Sequence, residues 1–216
     1  MVRISTTSKL DGIRSWSLQA GDTCAGSYNK DGSLVDPCKM CYALKRGNYR
    51  FPNVIAPRVH NREDWKREQW VADMIRELDS DRYFRWFDSG DMYDLRLANK
   101  ILQVMIATPW VKHWLPTRMH KFAKFAGVLA SMQSLPNVSV RFSSDSVMGE
   151  FTAGLHGSTI IPTPDSAPSG VSVCHAYQNA GKCSGCRACW DKSVSVIAYP
   201  AHGKDAVKLY KARAVA

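Results

Sequence analysis

A chain of 216 residues with 45% hydrophobic and 22% charged residues is long enough to bury a compact core, and this composition excludes a disordered chain. The longest apolar runs are too short for a transmembrane helix and the first residues offer no apolar stretch for a secretory signal, so a cytoplasmic protein with no membrane partner is expected. The formal net charge of +10 keeps nucleic acid or another polyanion among the expected partners, and seven cysteines, an odd number in a reducing compartment, argue against a disulfide framework.

Residues 13–19 alternate loosely and read as a strand, followed by a loop rich in Gly, Asp, Asn and Ser from Gly21 to about Pro37. A short helix is expected over 38–47, ended by Gly47. Residues 61–79 read as the clearest helix: Asn61 caps it, Asp64 follows near the capping-box position, and Trp65, Val71, Met74, Ile75 and Leu78 form its apolar stripe. Strand 82–88 leads through Ser89, Gly90 and Asp91 into a helix over 93–107 that buries Leu95, Leu97, Ile101, Leu102, Met105 and Ile106. Strand 111–117 precedes a basic helix over 119–134, and strand 137–143 follows. Shorter strands are expected at 158–162, 170–174 and 193–199, and helices drop out after residue 143. Regular alternation of strand and helix argues for βαβ units and a parallel sheet. Trp65, Trp70, Trp86, Trp110 and Trp114 read as core or interface, and His113 as packed within its strand.

The seven cysteines resolve into two sets. Cys24, Cys38 and Cys41 are spaced C-x13-C-x2-C, and Cys174, Cys183, Cys186 and Cys189 are spaced C-x8-C-x2-C-x2-C, with about 130 residues between the sets. The dense triplet, set among Gly181, Ser184 and Gly185, suits a tight loop that aims several sulfurs at one centre. Iron–sulfur loops use this step, whereas zinc favours paired knuckles, so a [4Fe–4S] cluster is preferred and zinc is the alternative. Three cysteines leave one iron of a cubane without a thiolate, open to a cofactor or substrate. His60, His175 or Asp36 could instead supply a fourth ligand and make the site structural. Trp190, after the last cysteine, reads as a shield against water.

Ligands of parallel α/β folds sit at the carboxyl ends of the strands. Polar groups follow each expected strand there: the first cysteine loop, then Asp88 to Asp91, then Thr117, Arg118 and His120, then Ser143, Ser144 and Asp145. With a loop ending in Cys38-Lys39-Met40-Cys41-Tyr42, this arrangement resembles radical S-adenosylmethionine enzymes, with the first cysteine gap widened. The resemblance implies a reduced or partial (β/α) barrel over residues 1–162 and a cysteine-rich segment over 163–216 that completes the sheet, linked near Pro162 to Gly170. It implies S-adenosylmethionine as cofactor, with Met40 and Tyr42 beside the first cluster and Ser89, Gly90 and Asp91 at its ammonium group. Arg118 would meet its carboxylate, and Ser143, Ser144 or Asp145 its ribose. The four C-terminal cysteines resemble an auxiliary cluster that staples the segment or relays electrons, and a flavodoxin or ferredoxin would supply the reductant. The two cysteine motifs also resemble a small bacteriophage-encoded family, which implies the host cytoplasm as location.

Basic residues cluster at Lys45, Arg46, Arg50, Arg58 and Arg62, interleaved with Tyr42, Tyr49 and Phe51 as stacking surfaces would be, and again at Lys204, Lys208, Lys211 and Arg213. These patches are the candidate contacts for nucleic acid. The alternative to an enzyme is an iron–sulfur or zinc protein that binds nucleic acid or transfers electrons.

Overall fold

The computed structural model describes residues 1–45, 49 and 51–214. Its frame is one mixed, mostly parallel sheet. A short antiparallel hairpin, β1 (Ser5–Thr6) and β2 (Arg14–Trp16), begins it. β3 (Tyr83–Trp86), β4 (Lys112–Thr117), β5 (Val138–Ser143) and β6 (Gly157–Ile161) then add in sequence, each parallel to the last. β8 (Val196–Pro200) pairs with β6, and the two-residue β7 (Ser172–Val173) pairs with β8, giving the order β1-β2-β3-β4-β5-β6-β8-β7. The parallel α/β reading therefore holds, but the sheet is open. β1 and β7 are its two edges, each only two residues long, and among the described residues no ladder joins them into a barrel.

Two four-residue helices, α1 (Asp36–Lys39) and α2 (Tyr42–Lys45), occupy part of the expected 38–47 helix, whose Gly47 stop lies outside the described residues. The helix expected over 61–79 is two helices in different positions, α3 (Pro52–Asp64) and α4 (Trp70–Glu77). Asn61 is buried inside α3 rather than capping it: its carboxamide accepts from the Arg3 amide and donates to the carbonyls of Arg3 and Ser17, serving the sheet edge. The break is held from outside by Lys100, whose ammonium donates to the carbonyls of Trp65 at 3.0 Å and Arg67 at 2.6 Å. α5 (Leu95–Ala107) matches its expected span, with the Asp94 carboxylate accepting from the Arg96 amide as an N-cap. Of the expected helix at 119–134 only α6 (Ala126–Ser134) is α-helical; two 3-10 turns precede it. A C-terminal helix, α7 (Lys204–Ala214), lies where none was expected.

α4, α5 and α6 cover one face of the sheet. Their Trp70, Met74, Leu97, Ile101, Met105 and Met132 bury against Trp16, Phe84, Trp86, Leu115 and Val140 of the strands. The other face carries a smaller apolar cluster of Leu10, Trp114 and Trp190 with Cys183 and Cys189 packed on it. Trp65, Trp70, Trp86 and Trp114 are buried as expected, whereas Trp110 is 40% exposed. No helix among the described residues is long and apolar enough to cross a membrane.

Candidate functional site

The loop after β2 folds back on itself. The Val35 amide donates to the Ser27 carbonyl at 2.9 Å, and Tyr28 pairs with Leu34. Its backbone at Gly26 lies directly against Arg118, where an added Cβ would stand 2.5 Å from the Arg118 Cβ, so only glycine fits. This packing sets Cys24, on the loop, beside Cys38 and Cys41 around α1, close enough for each to act on the others electrostatically. Burial pushes the Cys24 thiol up to about 11 and raises that of Cys41.

The second set arrives from the far end of the chain. Arg141, fully buried on β5, donates to the carbonyls of Ala188, Cys189, Asp191, Val194 and Ser195. Trp190 donates its indole N–H to the Phe84 carbonyl at 2.9 Å and meets Trp114 edge-on at 5.1 Å. At the N-terminal hairpin the Asp11 carboxylate accepts from the amides of Ser184 and Gly185 and from Arg187. So clamped, Cys183 and Cys189 lie near Cys174, and the Tyr199 hydroxyl sits 3.3 Å from the Cys189 sulfur. Burial pushes Cys183 up to about 11 and also raises Cys189 and Tyr199.

The two sets meet. Cys38 and Cys41 from one, and Cys174, Cys183 and Cys189 from the other, line a single cavity of about 370 Å³ on the sheet face that bears Trp114. Cys186 is exposed and outside that lining, and Cys24 is outside it too. Among the described residues no three His, Cys, Asp or Glu side chains are already spaced as a metal shell.

Of the residues assigned to a cofactor, Met40, Tyr42, Arg118, Ser143 and Ser144 line this cavity. Arg118 donates to Asp145 at 3.1 Å and to the Ser144 carbonyl at 2.9 Å, while Asp145 also pairs with Lys121. Asp145 itself faces a neighbouring cavity of about 450 Å³, with His120, Phe142 and His156. Ser89, Gly90 and Asp91 lie outside both linings. Ser89 bonds to Arg58 and to the Leu18 carbonyl; Gly90, at φ 76°, would place a Cβ 2.7 Å from Leu18. Asp91 is buried, which pushes its carboxyl up to about 6, and its oxygens accept from Thr117 and from the amides of Met92 and Arg118. The three thus join the ends of β2, β3 and β4 and mount Arg118 at the rim.

The possible fourth ligands are dispersed. His60 lies 3.4 Å from Asp64 and bonds the Met1 carbonyl, His175 packs beside Tyr177, and Asp36 pairs with Lys39 while lining the neighbouring cavity. Two residues of the first basic patch already have acidic partners. Arg58 is buried against Asp88 at 2.7 Å and Arg62 pairs with Asp22 at 2.6 Å, while Arg46 and Arg50 lie outside the described residues. Lys45 ends α2, and Lys204, Lys208, Lys211 and Arg213 fall on α7. Arg85, Arg141 and Tyr199 were not singled out in the sequence. The one available signal was a charged residue interrupting the apolar alternation of β3 and of β5.

A family model described as Gene product 88 matches residues 3–192. No curated protein matches the chain, and no solved structure does.

Proposed function

We propose, for a chain that belongs to the Gene product 88 family, that it is an iron–sulfur enzyme of the host cytoplasm acting on S-adenosylmethionine. The observation that carries this reading is the convergence of two thiol sets, from opposite ends of the chain, on one cavity of a mostly parallel sheet. The donors fit the group. Thiolates suit iron–sulfur clusters, and the lining combines five cysteines with Lys9 and Arg118 and, among the described residues, no carboxylate, which suits an anionic cluster. Thiols that burial holds protonated up to about 11 would lose their protons on ligation, so assembly releases protons and couples to the fold of both segments.

Cys24, Cys38 and Cys41 would hold a [4Fe–4S] cluster with one iron left for the cofactor, and Cys174, Cys183, Cys186 and Cys189 a second cluster. When bound, the first cluster supplies the electron that cleaves a carbon–sulfur bond of S-adenosylmethionine. Arg118 offers its guanidinium to the cofactor's carboxylate, and Asp91 fixes the backbone from which Arg118 reaches. Ser143 and Ser144, which line the cavity, would meet its ribose, and Met40 and Tyr42 share that lining with Cys38 and Cys41. Trp114 and Trp190 keep water from the second thiol set. Flavodoxin or ferredoxin is the proposed reductant, and contact with a polyanion falls to the lysines of α7.

Protein purified without oxygen is expected to carry about eight irons per chain, two cubanes, with matching sulfide. On reduction with S-adenosylmethionine it is expected to release 5′-deoxyadenosine and to shift the EPR signal of the reduced cluster. Zinc in place of iron, or no cleavage and no EPR shift, would sink the reading.

A further inference from the structure

We propose that the cavity between the two thiol sets binds an anionic small molecule, a carboxylate or phosphate, through Arg85; this rests on reading the cavity as the place of reaction. β3 alternates, so Phe84 and Trp86 bury toward the helices while Arg85 faces the cavity. Its guanidinium lies over the Trp114 ring, 4.5 Å from the centroid, and its Nε is buried with no hydrogen-bond partner.

The other arginines nearby are committed. Arg118 bonds Asp145 and the Ser144 carbonyl through Nε and Nη2 and turns its remaining nitrogen to the cofactor, Arg141 is held by five carbonyls, and Arg58 by Asp88. Among the described residues the Arg85 side chain has no ion pair and no hydrogen bond, only the face of Trp114. A buried N–H left without an acceptor is costly, and the half-buried guanidinium fork that carries it matches carboxylate and phosphate oxygens in geometry. The cavity adds Lys9 and the hydroxyl of Ser158, and among the described residues its lining has no Asp or Glu to repel an anion. Its volume of about 370 Å³ is that of a small-molecule site. Arg85 also acts electrostatically on Tyr49, which packs on Tyr42 beside the first thiols, and on Cys189 of the second set. The anion would therefore be held between the two sets.

The test is anaerobic calorimetry on the whole protein as purified, with inorganic phosphate in one arm and succinate in the other, for the wild type, Arg85→Gln and Arg85→Lys. Saturable one-site binding of one anion is expected, weakened at least about tenfold in Arg85→Gln and partly restored in Arg85→Lys. The arm that binds names the anion. Iron content and the EPR response to S-adenosylmethionine are expected to stay unchanged in both variants. If neither anion binds, or Arg85→Gln binds as the wild type does, the proposal is overturned. It is equally overturned if Arg85→Gln loses half its iron while anion binding is unaltered, because Arg85 would then only balance the charge of the second cluster. If the wild type holds no iron and still binds an anion through Arg85, the cluster reading falls and the anion site stands.

Discussion

His113 is fully buried on β4 with both ring nitrogens engaged. The Trp86 indole donates to Nδ1 at 3.3 Å, and Nε2 lies 2.9 Å from the Thr108 hydroxyl, whose own proton goes to the Val104 carbonyl. Nε2 therefore carries the proton and the ring is neutral, and burial drives its pKa down to about 3. An unfolded histidine takes up its proton near 6.5, so between about 6.5 and 3 this site costs about 1.4 kcal/mol per unit of acidification. Asp91 has the opposite sign. Its folded pKa of about 6 exceeds the unfolded 3.8, so the folded chain holds the extra proton and stability falls as pH rises through that window. The two slopes oppose each other between about pH 4 and 6. His113→Gln should leave the Asp91 slope alone. Relative to the wild type, its unfolding free energy should fall by about 2 kcal/mol from pH 4.5 to 6.0, as read by urea denaturation. A constant difference across that range would refute the assignment. That His113 packs rather than ligates was legible in the sequence from its place within a strand. The roles of Arg85 and Arg141 were not, because their partners lie on the neighbouring strand, as Trp114 does from Arg85, or about 50 residues away, as Cys189 and Val194 do from Arg141.

The strands were read well at the level of the element, since their β-branched and aromatic residues alternate over short runs between turn residues. The helices after β2 were read poorly for a physical reason. Asn61 has the composition of a cap, yet from inside α3 it holds Arg3 before β1 and Ser17 after β2, and the break before α4 depends on Lys100 of α5. Neither contact leaves a trace in local periodicity. The cysteine spacings were legible, and the convergence of the sets was not, because it depends on distant contacts: Arg141 holds Ala188 to Ser195 against β5, Trp190 bonds Phe84, and Asp11 holds Ser184 to Arg187. Arg141→Met removes a charged donor and leaves five carbonyls to find other partners. The expected cost is about 3–5 kcal/mol, concentrated in that segment. Hydrogen exchange would show it directly: amides over 189–195 should lose protection while those of α5 keep theirs. Equal protection of that segment in the variant and the wild type would refute the clamp.

For the molecule as a whole, the question is whether residues 163–216 are an appendage or part of the core. Five cross-strand pairs, Gly157 with Val196 through Ile161 with Pro200, join β6 to β8, and without them β6 would be a bare edge. Trp190 covers Trp114 and Tyr83, and Lys192 donates to the carbonyls of Gln133 and Leu135 behind α6. Asp11 and the Lys9 carbonyl hold the cysteine loop to the first hairpin, so the two ends of the chain meet over the cavity. Arg141 would be left charged and unsatisfied without that segment, which a folded core tolerates poorly. A fragment of residues 1–162 should therefore fail to reach the native state, as a segment that completes the sheet implies. The whole chain is expected to unfold in one cooperative urea transition, and the fragment to show no sharp transition, a weak near-UV signal and binding of a hydrophobic dye. Should the fragment unfold cooperatively with a native near-UV spectrum, the C-terminal segment would be an appendage. The cavity would then be a junction between two units and not a chamber built into one core.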